Sequence, residues 1–155
     1  MILEAVTMEW KIKKFDQLTV SELYNILKAR EEIFIIEQTC IYEDMDGKDR
    51  QAYHLFLEDK GEVVSYLRIL PKGGRYEEVS LSRVITRAKY RKKGYGKELV
   101  KNAIDFVERE LKEGEIRISA QTYLEEFYGS FGFKRVSENY LEDDQDHCEM
   151  YYSRQ

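Results

Sequence analysis

The stretch Arg91-Lys92-Lys93-Gly94-Tyr95-Gly96-Lys97 has the residue types and spacing needed to hold a phosphorylated ligand. Two glycines one residue apart open backbone conformations closed to other residues, so several N–H groups can converge on one point. Leu99, Val100, Ala103, Ile104, Phe106 and Val107 follow at helical spacing, which makes that point a helix N-terminus as well. There the dipole and the unpaired N–H groups favour an anion. Six cations (Arg87, Lys89, Arg91, Lys92, Lys93 and Lys97) crowd residues 87–97 with no acid among them, in a chain whose net charge is −5. A solvated basic turn is the bland alternative. Two named phosphate motifs do not fit. The dinucleotide fingerprint needs glycine where Leu99 stands; a Walker A loop needs Gly and Ser/Thr where Arg91 and Glu98 stand.

The elements that must position this turn follow from periodicity. Leu81 to Thr86 alternates as a strand leading into the turn. Met8 to Phe15 alternates as a half-buried strand, and Thr19 with Glu22 forms a capping box for a helix reaching about Ile35. Val20, Leu23, Tyr24, Ile26 and Leu27 are expected as its core stripe, with Arg30, Glu31 and Glu32 solvated or facing the site. Residues 37–50 break the pattern and read as a loop; the run from Asp44 to Asp49 fails the calcium-loop template, because its glycine comes too early and position 12 is Leu55. Gln51–Glu58 and Glu62–Leu70 form a hairpin around Asp59-Lys60-Gly61. The helix from Gly94 stops near Lys112. A strand over Ile116–Ala120, a short helix from Tyr123 to about Phe131, and strands over Phe133–Tyr140 and His147–Tyr152 complete an α/β chain with a mixed sheet.

At 155 residues and 43% hydrophobic, the chain suits one globular domain without a linker. Residues 1–10 are too short in apolar run and too acidic for a signal peptide, and no run reaches the length of a membrane span. Two cysteines give neither a disulfide framework nor a metal-site spacing, so a cytoplasmic protein without a metal is expected. The acidic balance argues against a nucleic-acid binder.

R-x-x-G-x-G at a helix start (Arg91, Gly94, Gly96) and Q-T-Y-L-E-E-F-Y-G-S-F-G-F (Gln121 to Phe133) together resemble the GCN5-related N-acetyltransferase (GNAT) superfamily. Arg30, Ile33 to Gln38, Tyr42, Asp44, Asp46, Gly47 and Asp49 resemble its ElaA-type branch. The resemblance implies a single GNAT domain over residues 1–155, with a mixed, mostly antiparallel sheet flanked by helices. It implies acetyl-CoA as cosubstrate, its pantetheine arm bonded to the backbone of Val84 and Thr86 and its pyrophosphate on the N–H groups from Arg91 to Gly96. The implied cofactor residues are Val84, Ile85, Thr86, Arg91, Lys92, Lys93, Gly94, Tyr95, Gly96, Lys97 and Gln121.

Acetyl transfer to an amine needs a neutral nucleophile, a polarised carbonyl and a protonated leaving thiolate. The resemblance makes Tyr128 the general acid on the CoA sulfur, against its alternative as a core aromatic beside Phe127, Phe131 and Phe133. The Val84 N–H is the candidate for polarising the carbonyl. Glu37 is the first choice of base, with water as its rival. His54 and His147 titrate in a suitable range, but structural histidines are the commoner case. Cys148 has no His/Asp arrangement to make it an acyl carrier. The acidic loop (Glu43, Asp44, Asp46, Asp49) and the turn Glu142–Asp146 suggest a rim that steers a cationic amine, either a small molecule or a peptide; two solvated loops are the alternative. Tyr151 and Tyr152 could serve a homodimer interface or simply end the sheet. A non-catalytic acyl-CoA-binding module is the alternative to an enzyme.

Overall fold

The computed structural model describes residues 8–154; the segment 1–7, part of the stretch considered as a signal peptide, lies outside them. Strands β1 (Met8–Lys14), β2 (Tyr53–Asp59), β3 (Glu62–Leu70) and β4 (Ser80–Thr86) form an antiparallel sheet in that order. β5 (Glu115–Gln121), β8 (Gln145–Ser153) and the two-residue β6 (Lys134–Arg135) form a second sheet, with β7 (Tyr140–Glu142) also paired to β8. The expected strand Phe133–Tyr140 is thus split into β6 and β7, because residues 137–139 leave the sheet after the Val136 N–H donates to the Glu149 carbonyl at 2.9 Å; the Arg135 guanidinium turns onto the Ser137 carbonyl at 2.9 Å.

Helices α1 (Val20–Arg30) and α2 (Tyr95–Arg109) cover opposite faces of the first sheet. Alternation explains this: Leu55, Leu67 and Ile69 face the α2 side, while Phe56 and Tyr66 face Ile26, Ala29 and Ile33 on the α1 side. With both faces covered, β3 is buried along nearly its whole length. A five-residue helix, α3 (Glu125–Gly129), follows β5.

The capping box of α1 forms as expected: Thr19 Oγ1 accepts from the Glu22 N–H at 3.0 Å, and Glu22 accepts from the Thr19 N–H at 2.9 Å. The expected stripe forms only in part: Ile26 is buried and Leu23 and Leu27 are half-buried. Val20 is 88% exposed and Tyr24 is exposed, whereas Glu22, Ile26, Ala29 and Arg30 are buried. Glu22 turns in because Lys11 and Lys13 of β1 meet it, and Arg30 because acidic partners surround it. Beyond Arg30 the helix widens into a π-helical segment, Glu31–Glu37, longer than expected. Tyr151 and Tyr152 are used inside the molecule. The Arg117 guanidinium lies over the Tyr151 ring, and the Tyr152 hydroxyl donates to Glu108 at 2.5 Å.

Candidate active site

β4 and β5 run side by side only briefly. They share a parallel bridge, Val79 to Ile116, and the Arg117 N–H donates to the Val79 carbonyl at 2.9 Å. Farther on they part, and Ser82, Val84, Ile118 and Ala120 line the opening between them. A β-bulge helps to turn β4 away. Tyr66 pairs with Ile85 and Arg68 with Ser82, so Leu67 alone faces both Arg83 and Val84. Arg83 takes a φ of 55°, uncommon for a residue with a side chain, and its guanidinium is held by Asp44 Oδ1 at 2.8 Å and the Asp44 carbonyl at 2.9 Å.

The loop after β4 builds the wide end of the wedge. Lys92 and Gly94 are left-handed (φ 64° and 87°), and Gly94 caps α2, so the N–H groups of the first helical turn face outward. A Cβ at Gly96 would lie 3.6 Å from Thr86 Oγ1 and 3.8 Å from the Phe127 ring, ordinary contacts. The protein's own packing therefore does not demand glycine there; close approach of a ligand backbone would. Of the six cations, Arg87 pairs with Glu32, Lys89 with Glu62 and Arg91 with Glu37. Among the described residues Lys92, Lys93 and Lys97 enter no ion pair.

The opening is a cleft in two halves. A groove of about 480 Å³ is lined by Val84, Ile85, Thr86, Arg91, Lys92, Gly94, Tyr95, Gly96, Lys97 and Gln121, which are the expected cofactor residues apart from Lys93. Lys93 instead places its ammonium 6.0 Å from the Tyr90 ring centre. A narrower half of about 100 Å³ lies beyond, walled by Ser82, Arg83, Ser119, Glu142, Gln145 and His147 among others. Phe34, Gln38, Val84, Gln121, Leu124 and Tyr128 line both halves. Tyr128 is 5% exposed and packs against Phe127 and Phe133. Burial, with a smaller contribution from Tyr123, pushes its hydroxyl well above the ordinary phenol range, so it keeps its proton at neutral pH.

Glu37 lines the cofactor half and not the narrow half. Both its oxygens lie on Arg91, at 3.0 and 2.6 Å. His54 is fully buried, with Nδ1 2.8 Å from the Tyr66 hydroxyl and Nε2 2.9 Å from the Asp49 carbonyl; it holds the core together. His147 lines the narrow half. Arg75, Ser119 and Glu142 line the narrow half, and the Tyr140 hydroxyl meets Ser119 at 2.5 Å; sequence reasoning did not single them out as a group. They come from three separated segments (the connection between β3 and β4, β5 and β7), and no local spacing announces them.

The acidic loop faces inward. Arg30, 0% exposed, donates to Asp44 Oδ2 at 2.9 Å and to Asp49 Oδ1 at 2.8 Å. Arg68 takes both oxygens of Asp46, at 2.8 and 2.9 Å, and Asp49 Oδ1 at 3.0 Å. Burial alone would raise the Asp46 and Asp49 carboxyls, but the arginines outweigh it and hold both below the usual range. The expectation that Asp44, Asp46 and Asp49 form a cation-steering rim is therefore corrected. Three arginines neutralise them, and the loop they pin forms one wall of the cleft through Tyr42, beside Arg83 of β4. Among the described residues no group of three or more His, Cys, Asp or Glu side chains is placed to hold a metal, and no helix is long and apolar enough to cross a membrane.

A splayed sheet with a glycine-capped helix start at its wide end and a buried tyrosine at the joint has the form of an acyl-CoA-dependent acyltransferase. Residues 20–154 match the acetyltransferase (GNAT) domain family, and the chain belongs to that family, in its ElaA-type branch. It is 34% identical to Protein ElaA of Escherichia coli over 145 residues, 92% of this chain and 95% of that protein. The crystal structure of E. coli ElaA superposes with a TM-score of 0.88 at 33% identity, covering 94% of this chain and 99% of that one. That of an acyl-CoA N-acyltransferase from Pseudomonas aeruginosa superposes with a TM-score of 0.90 at 35% identity, with the same coverage. The protein is accordingly an acyltransferase that takes an acyl-CoA cosubstrate and an amine acceptor.

Proposed function

We propose that the protein, acting as one domain in the cytoplasm, moves an acetyl group from acetyl-CoA to a primary amine by direct attack in a ternary complex. The observation that carries this reading is that the two halves of the cleft meet at Val84 and Tyr128. A thioester entering from the groove and an amine entering from the narrow half would meet beside one backbone N–H outside the regular ladder and one protonated phenol. In this reading the pyrophosphate sits on the N–H groups from Arg91 to Gly96, with Lys92, Lys93 and Lys97 around it. The pantetheine arm pairs with β4 at Val84 and Thr86, where the departure of β5 leaves backbone uncovered. The Val84 N–H polarises the thioester carbonyl. Tyr128 gives its proton to the leaving thiolate. Glu37, the base expected from the sequence, serves here as the partner that orients Arg91. The small volume of the narrow half favours acceptors that present an amine on a slender chain, whether a small molecule, a lysine or a peptide N-terminus.

Thiol release from acetyl-CoA, measured with propylamine, spermidine, lysine and a glycine-led dipeptide, tests the reading. Protein-dependent release with at least one amine is expected. No release from any of them, while acetyl-CoA still raises the melting temperature, would leave a CoA-binding module and sink the transferase proposal.

A further inference from the structure

The narrow half of the cleft contains a histidine–carboxylate pair that the reaction as described above does not use. His147, 8% exposed, stands on β8 opposite Gln121 of β5 and Tyr140 of β7. Its Nδ1 lies 2.7 Å from the Gln145 carbonyl. A carbonyl only accepts, so Nδ1 carries the proton of the neutral ring and Nε2 keeps a free lone pair. The Tyr140 ring stacks on the imidazole, centres 6.2 Å apart and planes 22° from parallel, and fixes its orientation. Nε2 lies 3.6 Å from Glu142 Oε2. Glu142 is anchored through its other oxygen, Oε1, by the Arg75 guanidinium and by the Ser119 hydroxyl at 3.3 Å. Two acceptors, Nε2 and Oε2, thus stand 3.6 Å apart on one wall. Both residues line the acceptor half. An ammonium group presented from the narrow half would donate to both.

We infer that His147 is the general base that deprotonates the acceptor ammonium, and that Glu142 is the positioning residue that holds the resulting imidazolium. The inference rests on the transferase reading above. The ammonium gives one proton to Nε2. The neutral amine attacks the thioester carbon, and a C–N bond forms. As the C–S bond breaks, the thiolate takes the Tyr128 proton, and the second amine proton returns to the phenolate. The products are the amide, the CoA thiol and an imidazolium that passes its proton to water. Glu37 is unsuited to this step, because it lines the cofactor half and is held by Arg91. The charged or titratable groups that pack on His147 or share this half with it are Tyr140 and Glu142 of β7, Arg75 behind Glu142, Arg83 of β4 paired with Asp44, Tyr128, and Cys40, Tyr42 and Asp143 along the wall; Ser119 and Gln121 of β5 and Gln145 of its own strand are neutral.

The test compares wild type, His147→Gln and Glu142→Gln on the most active amine of the panel, as a function of pH. His147→Gln should lower kcat/KM for the amine by roughly 10²–10³-fold, leave KM for acetyl-CoA unchanged, and remove the acidic limb of the pH–rate profile. Glu142→Gln should cost roughly tenfold and shift that limb toward lower pH without removing it, because the imidazolium loses its counter-charge. Turnover within threefold of wild type and an intact acidic limb in His147→Gln overturns the assignment while leaving the transferase reading standing. If His147→Gln does not fold, Glu142→Gln decides: an unmoved acidic limb overturns the assignment. Long-range ¹H–¹⁵N NMR gives a readout without turnover. His147 should be the Nδ1–H tautomer in alkaline solution, and an Nε2–H tautomer would also overturn it. No thiol release by wild type with any amine sinks both readings together.

Discussion

Arg91 holds both carboxylate oxygens of Glu37, at 3.0 and 2.6 Å, while its Nε donates to the Thr86 carbonyl at 2.9 Å. The fork ties the end of the π-helical segment to the phosphate loop. Each partner is about two-fifths exposed, so exchanging Glu37 for another anion costs little. A pyrophosphate would compete for the same planar donors. Glu37→Gln should therefore lower KM for acetyl-CoA several-fold and keep kcat within about threefold. A hundredfold loss of kcat at unchanged KM would return Glu37 to the role of base.

The two glycines of the loop should respond differently to alanine. Gly94 is left-handed, so Gly94→Ala should cost about 1 kcal/mol of stability as well as cofactor affinity. Gly96→Ala meets only ordinary contacts within the protein, so its melting temperature should hold or rise slightly. Its affinity for acetyl-CoA should nevertheless drop about tenfold or more, because the methyl occupies the space the ligand needs. Calorimetric titration with acetyl-CoA, together with thermal unfolding, separates the two; undiminished affinity in Gly96→Ala would count against phosphate binding at this turn.

Tyr128→Phe keeps the aromatic packing against Phe127 and Phe133 and removes only the phenolic hydroxyl. We expect acetyl-CoA affinity within twofold of wild type and kcat reduced about 10²-fold, with a smaller loss for a thioester whose thiol is more acidic. Unchanged kcat would show that the thiolate leaves without an acid.

Asp49 accepts from both Arg30 and Arg68 in the interior. Asp49→Ala leaves two buried guanidinium groups short of a counter-charge, and should cost about 3–5 kcal/mol by denaturant unfolding. A cost below about 1 kcal/mol would mean that the network does not hold the loop.

Glu22 links α1 to β1. Burial by itself would raise its carboxyl, but the Thr19 N–H, Lys13 and Lys11 together bring it down to about 2. A folded value below the unfolded one means stability that is complete above the ordinary glutamate range and lost as pH falls toward 2. Glu22→Gln should accordingly be less stable than wild type by about 1–2 kcal/mol at pH 7. The gap should close between the ordinary glutamate range, pH about 4.3, and a pH near 2. A gap that persists at the acid end would show that packing, not charge, sets the difference.

The sequence by itself determined whatever depends on neighbours along the chain. The Thr19/Glu22 cap, the hairpin strands, the glycine turn before α2 and the aromatic cluster around Tyr128 all lie within a few residues of their own cause, and the structure has each of them. It misjudged what depends on distant partners. Val20 and Tyr24 fit a helical stripe by spacing, but the face that α1 buries is set by Lys11, Lys13 and the aspartates that meet Glu22 and Arg30. A charged residue is buried only where counter-charges come to it, and those of Arg30 lie 14 and 19 residues away. The bulge at Arg83 likewise depends on Asp44, 39 residues distant. The meeting of His147, Glu142, Ser119 and Arg75 needs two sheets and a connecting loop to be in place first. Local pattern thus placed the glycine turn before α2; tertiary structure alone decided what lines the narrow half of the cleft, because that wall is assembled from segments with no periodicity in common.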